Sequence, residues 1–179
     1  MLSEILVNWR LYLILGVGAA GVVAFIVFVI CGIIKCRKQS NTAGVRSIVI
    51  SVLCVLIACC AWIFNMGWLR FIMTILQVPV IYTVIFIIST VRAAPYSQCS
   101  ERLRRLNVLC CITYDASYIL LPDGGDTGEL YCIFGLIKND TVAYILAGVA
   151  PLCAIASIIL MIMRSKECKI LRGAQNRLA

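Results

Sequence analysis

Residues 106–121 read LNVLCCITYDASYILL, and the interpretation of this segment decides how many times the chain crosses a membrane. The segment is mostly apolar, but it has only 16 residues and contains the acid Asp115. A transmembrane helix needs about 20 apolar residues. On insertion scales, a central aspartate costs about 3 kcal/mol, and the large aliphatic residues around it return about the same amount. Hydrophobicity alone therefore does not decide whether this segment spans.

The rest of the chain is far more apolar than a soluble domain. Of its 179 residues, 63% are hydrophobic and 13% are charged, and the mean hydropathy is +1.02. A soluble fold could not cover so much apolar surface with so few charged side chains. Composition therefore predicts an all-α polytopic membrane protein whose residues 1–179 form a single membrane domain. Four charge-free windows are long enough to cross a bilayer, namely residues 11–34, 47–69, 71–91 and 141–163.

The distribution of basic residues favours residues 106–121 as a fifth span. Cytoplasmic loops of membrane proteins are enriched in Lys and Arg. If the segment spans, thirteen of the sixteen basic residues lie on one side, and only Arg10, Arg70 and Lys138 lie on the other. If it does not span, the basic tail 164–179 changes sides and this asymmetry largely disappears. We therefore predict five transmembrane helices, with the N-terminus outside and the C-terminus in the cytoplasm.

The segments outside the predicted spans are short. The outer loop, residues 122–140, contains an apolar run at 130–137 that is too short to cross, so it is expected either to lie in the outer interface or to dip into the bundle. The tail 164–179 is basic and is expected to lie on anionic headgroups at the cytoplasmic face of the bilayer. Short loops favour a bacterial cytoplasmic membrane. A second copy or another membrane protein stays open as a partner, and nucleic acid is not expected because topology accounts for the positive charge.

Asp115 is the candidate functional residue, because it is the only acid within a predicted span. At helical spacing it shares a polar face with Asn107, Cys111 and Tyr118. Gln77 and Asp115 each lie six residues from the outer end of their spans, which places both about 9 Å below the outer interface. We therefore predict an intramembrane polar cluster of Asp115, Gln77, Tyr118 and Asn107, to which Tyr82 or Thr74 could also contribute. It would serve either as an interhelical hydrogen bond made by a protonated acid or as a site for a cation or proton.

Small residues mark the predicted contact faces of the first two spans. Helices in lipid associate where small side chains let their backbones approach closely. Gly16, Ala20 and Ala24 recur every four residues in the first span, and Ser51 and Ala58 belong to a narrow small and polar stripe in the second. These positions are predicted to pack helix against helix.

Two prolines lie inside predicted spans. Proline removes a backbone hydrogen bond and its ring collides with the carbonyl four residues earlier, so it kinks or breaks a helix. Pro79 in residues 71–91 and Pro151 in residues 141–163 are each predicted to kink their span.

The residue types argue against enzyme chemistry. The chain has no histidine, which is the commonest general base and zinc ligand. Of its eleven cysteines only Cys132 is predicted to face the oxidising side, so no disulfide framework is expected. We predict no metal and no cofactor, and a non-enzymatic accessory, assembly or regulatory component of the membrane. The alternative is a transporter or channel component that uses Asp115 to handle protons or cations.

Overall fold

The computed structural model of the chain is mostly helical and describes residues 23–65, 67–124 and 130–178. Its helices form one bundle, with a short two-stranded sheet at one end. The elements are α1 (described over residues 23–38), α2 (Thr42–Phe64), α3 (Trp68–Ile75), α4 (Val78–Ala93), a 3₁₀ turn (Ala94–Tyr96), α5 (Glu101–Ile119), β1 (Asp123–Gly124), β2 (Leu130–Tyr131) and α6 (Asp140–Leu178).

Three helical segments among the described residues are long and apolar enough to cross a membrane, and they indicate a membrane protein. They are Thr42–Phe64, Val78–Tyr96 and Asp140–Ala174. Helix α5, which covers most of the predicted fourth span, does not meet the same criterion of length and composition. Five spans and the orientation of the termini therefore stay predictions.

The long helices α2, α4, α5 and α6 alternate in direction along the chain. Helix α5 lies antiparallel to α6. Ser100 at the start of α5 contacts Glu167, and Cys110 near the middle of α5 contacts Ser157, which lies earlier in α6. Helix α4 likewise runs antiparallel to α5, and α2 runs parallel to α5. The α1–α2 junction, the α4–α5 junction and the C-terminal part of α6 consequently share one end of the bundle, which we call the inner end.

The predicted helix over residues 71–91 is in fact two helices. Helix α3 ends at Ile75, and Gln77 adopts the left-handed conformation (φ 57°, ψ 17°) before α4 begins. Pro79 lies in the first turn of α4, where a missing N–H costs nothing. Its ring would collide with the carbonyl of Ile75 if the helix continued through this point. The proline therefore breaks the segment instead of kinking it.

The predicted fifth span and the basic tail form a single helix. Helix α6 runs without interruption from Asp140 to Leu178 and retains Pro151 in its interior. The boundary drawn from composition, between residues 163 and 164, is not a structural boundary. Arg164, assigned to the tail by that division, is completely buried.

The outer loop folds onto the end of the bundle. Strand β1 pairs antiparallel with β2, and an isolated bridge between Cys132 and Ile137 closes a tight turn. The N–H of Ile133 donates to the carbonyl of Ile119 at the end of α5. The ring of Phe134 meets Phe64 edge-on with centroids 6.5 Å apart. The apolar run 130–137 is therefore held against the ends of α2 and α5.

A carboxylate from this loop caps helix α3. Asp123 is buried and accepts hydrogen bonds from the backbone N–H groups of Gly67, Leu69 and Arg70 at 2.8–3.1 Å. The first N–H groups of a helix have no partner within the helix, and the positive end of the helix dipole favours a carboxylate. Gly67, the residue preceding α3, has no side chain with which to cap the helix. Asp123 supplies the cap instead, although it lies 53 residues after Arg70 in the chain.

The side chain of Arg70 also stabilises this end of the bundle, but it donates hydrogen bonds to carbonyl groups, whereas Asp123 accepts them from N–H groups. It is completely buried and donates to the carbonyls of Ala61 on α2 and of Tyr118 and Leu121 at the end of α5. Its guanidinium also lies over the ring of Trp62, 5.1 Å from the centroid. Burial lowers the pKa of Arg70 to about 10, so the group remains charged at neutral pH. Arg70 therefore ties the outer ends of two helices to α3.

We expect Gly67→Ala to lower the midpoint of thermal unfolding of the detergent-solubilised protein. An added Cβ would lie 2.5 Å from both Asp123 Oδ1 and the carbonyl oxygen of Gly124. Overpacking of this kind costs about 1–3 kcal/mol. Gly148→Ala is the matched control, because a Cβ at this helical position meets no atom within 4 Å. Equal midpoints for the two variants would contradict the close approach at Gly67.

Candidate functional site

Arg164 places a positive charge inside the bundle. Its side chain is completely buried, and its Nε donates to Ser89 Oγ at 3.1 Å while Nη2 donates to the carbonyl of Phe86 at 3.2 Å. Nη1 donates to Oδ1 of Asn107. Among the residues that the structure describes, no carboxylate forms an ion pair with Arg164. The charge is therefore stabilised by oriented dipoles and by the Phe86 ring, whose centroid lies 5.8 Å from Cζ.

Asn107 extends this network to a fourth helix. Its Oδ1 accepts from Arg164 on α6, and its Nδ2 donates to Ser47 Oγ on α2. Because Arg164 also bonds to α4, this one cluster connects α2, α4, α5 and α6. We call Ser47, Ser89, Asn107 and Arg164 the arginine cluster.

A second polar layer lies one turn further from the inner end. Ser51 is completely buried and donates to Thr90 Oγ1 at 3.4 Å, and its oxygen lies 3.5 Å from the sulfur of Cys111. Thr90 also donates to the carbonyl of Phe86. These contacts again join α2, α4 and α5, so the small and polar stripe predicted on the second span faces polar groups on its neighbours.

Asp115 follows on the same face of α5, one further turn toward the outer end. It is half-buried, and the thiol of Cys54 on α2 lies near its carboxyl group. Its Oδ1 is shielded from solvent and has no hydrogen-bond partner among the described residues. A buried carboxyl oxygen without a partner is costly and therefore marks a site to explain.

The structure does not bring Gln77 to Asp115. Gln77 is exposed at the break between α3 and α4, and its Nε2 donates to the carbonyl of Thr74 at 3.0 Å. The predicted proximity of the two residues requires one continuous helix over residues 71–91, and the helix is broken at Gln77. Gln77 caps the end of α3 instead, as its local hydrogen bond shows.

Tyr118 belongs to an aromatic layer between α4 and α5. Its hydroxyl donates to the carbonyl of Pro79 at 3.1 Å and lies 3.2 Å from Thr83 Oγ1. Tyr114 also contacts Thr83, and its ring stacks on Phe86 with centroids 4.0 Å apart. The predicted polar face of α5 is therefore divided: Asn107 bonds to α2 and α6, whereas Tyr118 bonds to α4.

The predicted packing positions are only partly described. Ser51 and Ala58 are buried on α2, whereas Ala24 on α1 is exposed. Gly16 and Ala20 lie outside the described residues. Close contact on α1 instead involves Gly32, where a Cβ would lie 2.8 Å from the Val91 side chain.

Sequence reasoning missed Arg164, although a signal for it exists. Ala143, Ala150 and Ser157 are buried at steps of seven residues along α6, and the next step is Arg164. A heptad spacing keeps residues on one face of a helix. Continuing the small-residue pattern past the end of the apolar window would have placed Arg164 on the buried face.

The arginine cluster, the layer around Ser51 and the carboxyl group of Asp115 follow one another along the bundle. Most of their polar groups are hydrogen-bonded within these layers. Within residues 23–65, 67–124 and 130–178, no cluster of three or more Cys, Asp or Glu side chains is placed to hold a metal ion. Comparison with known protein families, with curated proteins and with solved structures gives no match to this chain.

A double-mutant cycle tests the arginine cluster. We expect Asn107→Leu to lower the thermal midpoint, because it leaves the buried Arg164 guanidinium without one acceptor, at a cost of about 1–3 kcal/mol or more. Adding Arg164→Met removes the stranded charge, so the double variant should be less destabilised than the sum of the two single variants.

Val108→Ala provides the control for this cycle, since Val108 is the neighbouring residue and is 54% exposed. Strict additivity of Asn107→Leu and Arg164→Met, or an Asn107→Leu effect no larger than that of the control, would contradict the interaction.

Proposed function

We propose that the chain is a five-span component of a cell membrane, with its N-terminus outside and its C-terminus in the cytoplasm, that acts by contact instead of catalysis. An accessory, assembly or regulatory role in a bacterial cytoplasmic membrane fits the short connections between helices. The observation that carries the proposal is the use of the buried polar groups. Asn107, Arg164, Ser51 and Thr90 are engaged in bonds that join one helix to another. Polar groups engaged in this way hold a bundle together and leave little for chemistry.

The alternating directions of the helices support the proposed topology. Helix α5 lies among α2, α4 and α6 and runs antiparallel to two of them, as a fourth span would. Its Asn107 and Tyr118 side chains point toward those helices, where bonds to neighbours replace contact with lipid. Thirteen of the sixteen basic residues fall at the inner end of this arrangement, which supports a cytoplasmic location for that end.

Protease protection tests whether the full chain has an odd number of spans, as five spans require. An epitope at the N-terminus should be digested by protease added to intact spheroplasts, whereas an epitope after residue 179 should be digested only after lysis. An odd number of spans places the two termini on opposite sides of the membrane. Digestion of both epitopes, or protection of both, would contradict five spans. A tagged protein of known topology in the same cells serves as the control for membrane integrity.

The second candidate function is proton or cation handling at Asp115. The specific observation in its favour is the unpartnered, solvent-shielded Oδ1 of that residue. A carboxyl group with spare acceptor capacity can take up a proton or a cation, and intramembrane acids often do so. Helix α5 would then supply both the structural cluster around Asn107 and the site at Asp115.

Flux measurements separate the two functions. Purified protein is reconstituted into vesicles, and proton and sodium fluxes are measured for the unchanged chain and for Asp115→Asn, with Thr113→Val as a control elsewhere on α5. The accessory role predicts the same background flux for all three proteins. A flux that Asp115→Asn abolishes and Thr113→Val retains would overturn the accessory role in favour of transport.

A further inference from the structure

A groove of about 690 Å³ opens between α1, α4 and α6 at the inner end of the bundle. Four of the residues that line it are basic: Lys35 on α1, Arg92 on α4, and Lys169 and Arg172 on α6. They come from three helices that are far apart in the sequence. The fold, and not a local run of charge, therefore brings these four positive charges to one cavity.

No acid in the described part of the chain neutralises the groove. Lys35, Arg92, Lys169 and Arg172 form no ion pair among the described residues. The nearest acid along α6, Glu167, faces α5, where it lies 3.7 Å from Arg102 and accepts a hydrogen bond from Ser100. The positive charges thus remain available to an external anion.

The buried Arg164 strengthens the positive potential of this site. Ser89 lines the groove, and its hydroxyl accepts a hydrogen bond from Arg164 Nε. The hydroxyl proton of Ser89 is thereby directed away from Arg164. A fifth positive charge therefore lies directly behind the wall of the groove.

The part of the groove lining that lies farther from the inner end of the bundle is apolar. Phe28, Gly32 and Val91 line the groove toward the middle of the bundle. The absence of a side chain at Gly32 allows the close approach of α1 to Val91. A ligand that fills this cavity must therefore combine an anionic group with an apolar portion.

The inner rim of the groove is fixed in place by the bundle. Pro95 and Tyr96 line this rim, and the buried Asn41 donates from Nδ2 to the carbonyl of Pro95 at 2.7 Å and to that of Ala94 at 3.1 Å. The same Asn41 caps α2 by accepting from the N–H of Gly44. The rim therefore needs little rearrangement when a ligand binds.

We propose that this groove is a binding site for one anionic phospholipid of the inner leaflet. Lys35, Arg92, Lys169 and Arg172 would hold the phosphate, and an acyl chain would lie against Phe28 and Val91. Basic pockets between transmembrane helices on the cytoplasmic side are suited to such headgroups. This site is distinct from general attraction of the tail to the membrane, because it requires charges from three helices. Only its placement in the inner leaflet rests on the orientation proposed above.

Native mass spectrometry of the full-length protein in detergent tests the site. The protein is titrated with phosphatidylglycerol or with phosphatidylcholine. We expect one phosphatidylglycerol to be retained at least about tenfold more strongly than phosphatidylcholine, since only the former carries a net negative charge. The double variant Lys169→Gln/Arg172→Gln should lose at least about tenfold in this retention.

The matched control is Lys166→Gln/Arg177→Gln, which removes two exposed charges from the same helix but leaves the groove lining intact. It should retain phosphatidylglycerol as the unchanged chain does. The charge-conserving variant Lys169→Arg/Arg172→Lys should also bind, and the thermal midpoints of all variants identify any that fail to fold. Equal retention of both lipids, or equal losses in the groove and control variants, would overturn the proposal.

Inorganic phosphate distinguishes a lipid from a soluble anion. We expect millimolar phosphate to leave the bound phosphatidylglycerol in place, because phosphate cannot use the apolar wall. Complete displacement by phosphate would overturn the lipid assignment. These binding measurements in detergent do not depend on orientation or flux, so their failure is distinguishable from failure of the proposed function.

Discussion

The hydrogen bond between Arg164 and Asn107 is the interaction on which the arrangement of the helices most depends. A buried guanidinium without a carboxylate must find acceptors, and here they come from two other helices. Asn107 can accept from Arg164 and donate to Ser47 only if α2, α5 and α6 are in one register. Buried polar groups of this kind help to specify a structure, because a shift of one of these helices leaves a buried group without its partner.

At the outer end, too, buried charged side chains must find hydrogen-bond partners on other segments. Here the partners are backbone groups at helix ends. Arg70 donates to carbonyls at the ends of α2 and α5, while Asp123 accepts from the N–H groups of α3. Each residue supplies a partner that the helix ends cannot find within themselves. This explains how the chain accommodates a break at Gln77 close to the outer end. The short helix α3 is held by bonds from both sides and does not depend on continuity with α4.

The sequence predicts the features that depend on local composition, and it misses those that depend on distant partners. The apolar window at residues 47–69 overlaps most of α2, which begins earlier at Thr42 and ends at Phe64, and the window at residues 141–163 lies within α6. The clash of Pro79 with Ile75 marks a local weak point, but Pro151 lies inside an uninterrupted α6, so proline alone does not distinguish a break from a tolerated position. The burial of Arg164 could not be inferred from charge, because its acceptors lie 57 to 78 residues earlier in the chain. The sequence singles out Asp115 as the only acid in a predicted span, but the predicted partner Gln77 requires a continuous helix over residues 71–91, which the structure does not have.

Helix α6 is long enough to extend from the core of the bundle to beyond its inner end. At about 1.5 Å per residue, its 39 residues extend about 58 Å, nearly twice the hydrocarbon thickness of about 30 Å. The C-terminal part of the helix must therefore lie beyond the hydrocarbon region. Successive residues turn by about 100°, so Glu167 and Lys169 point in nearly opposite directions. Glu167 consequently binds α5, whereas Lys169 and Arg172 line the groove toward α1 and α4. The heptad face that buries Arg164 thus also fixes which basic residues of α6 remain available at the surface.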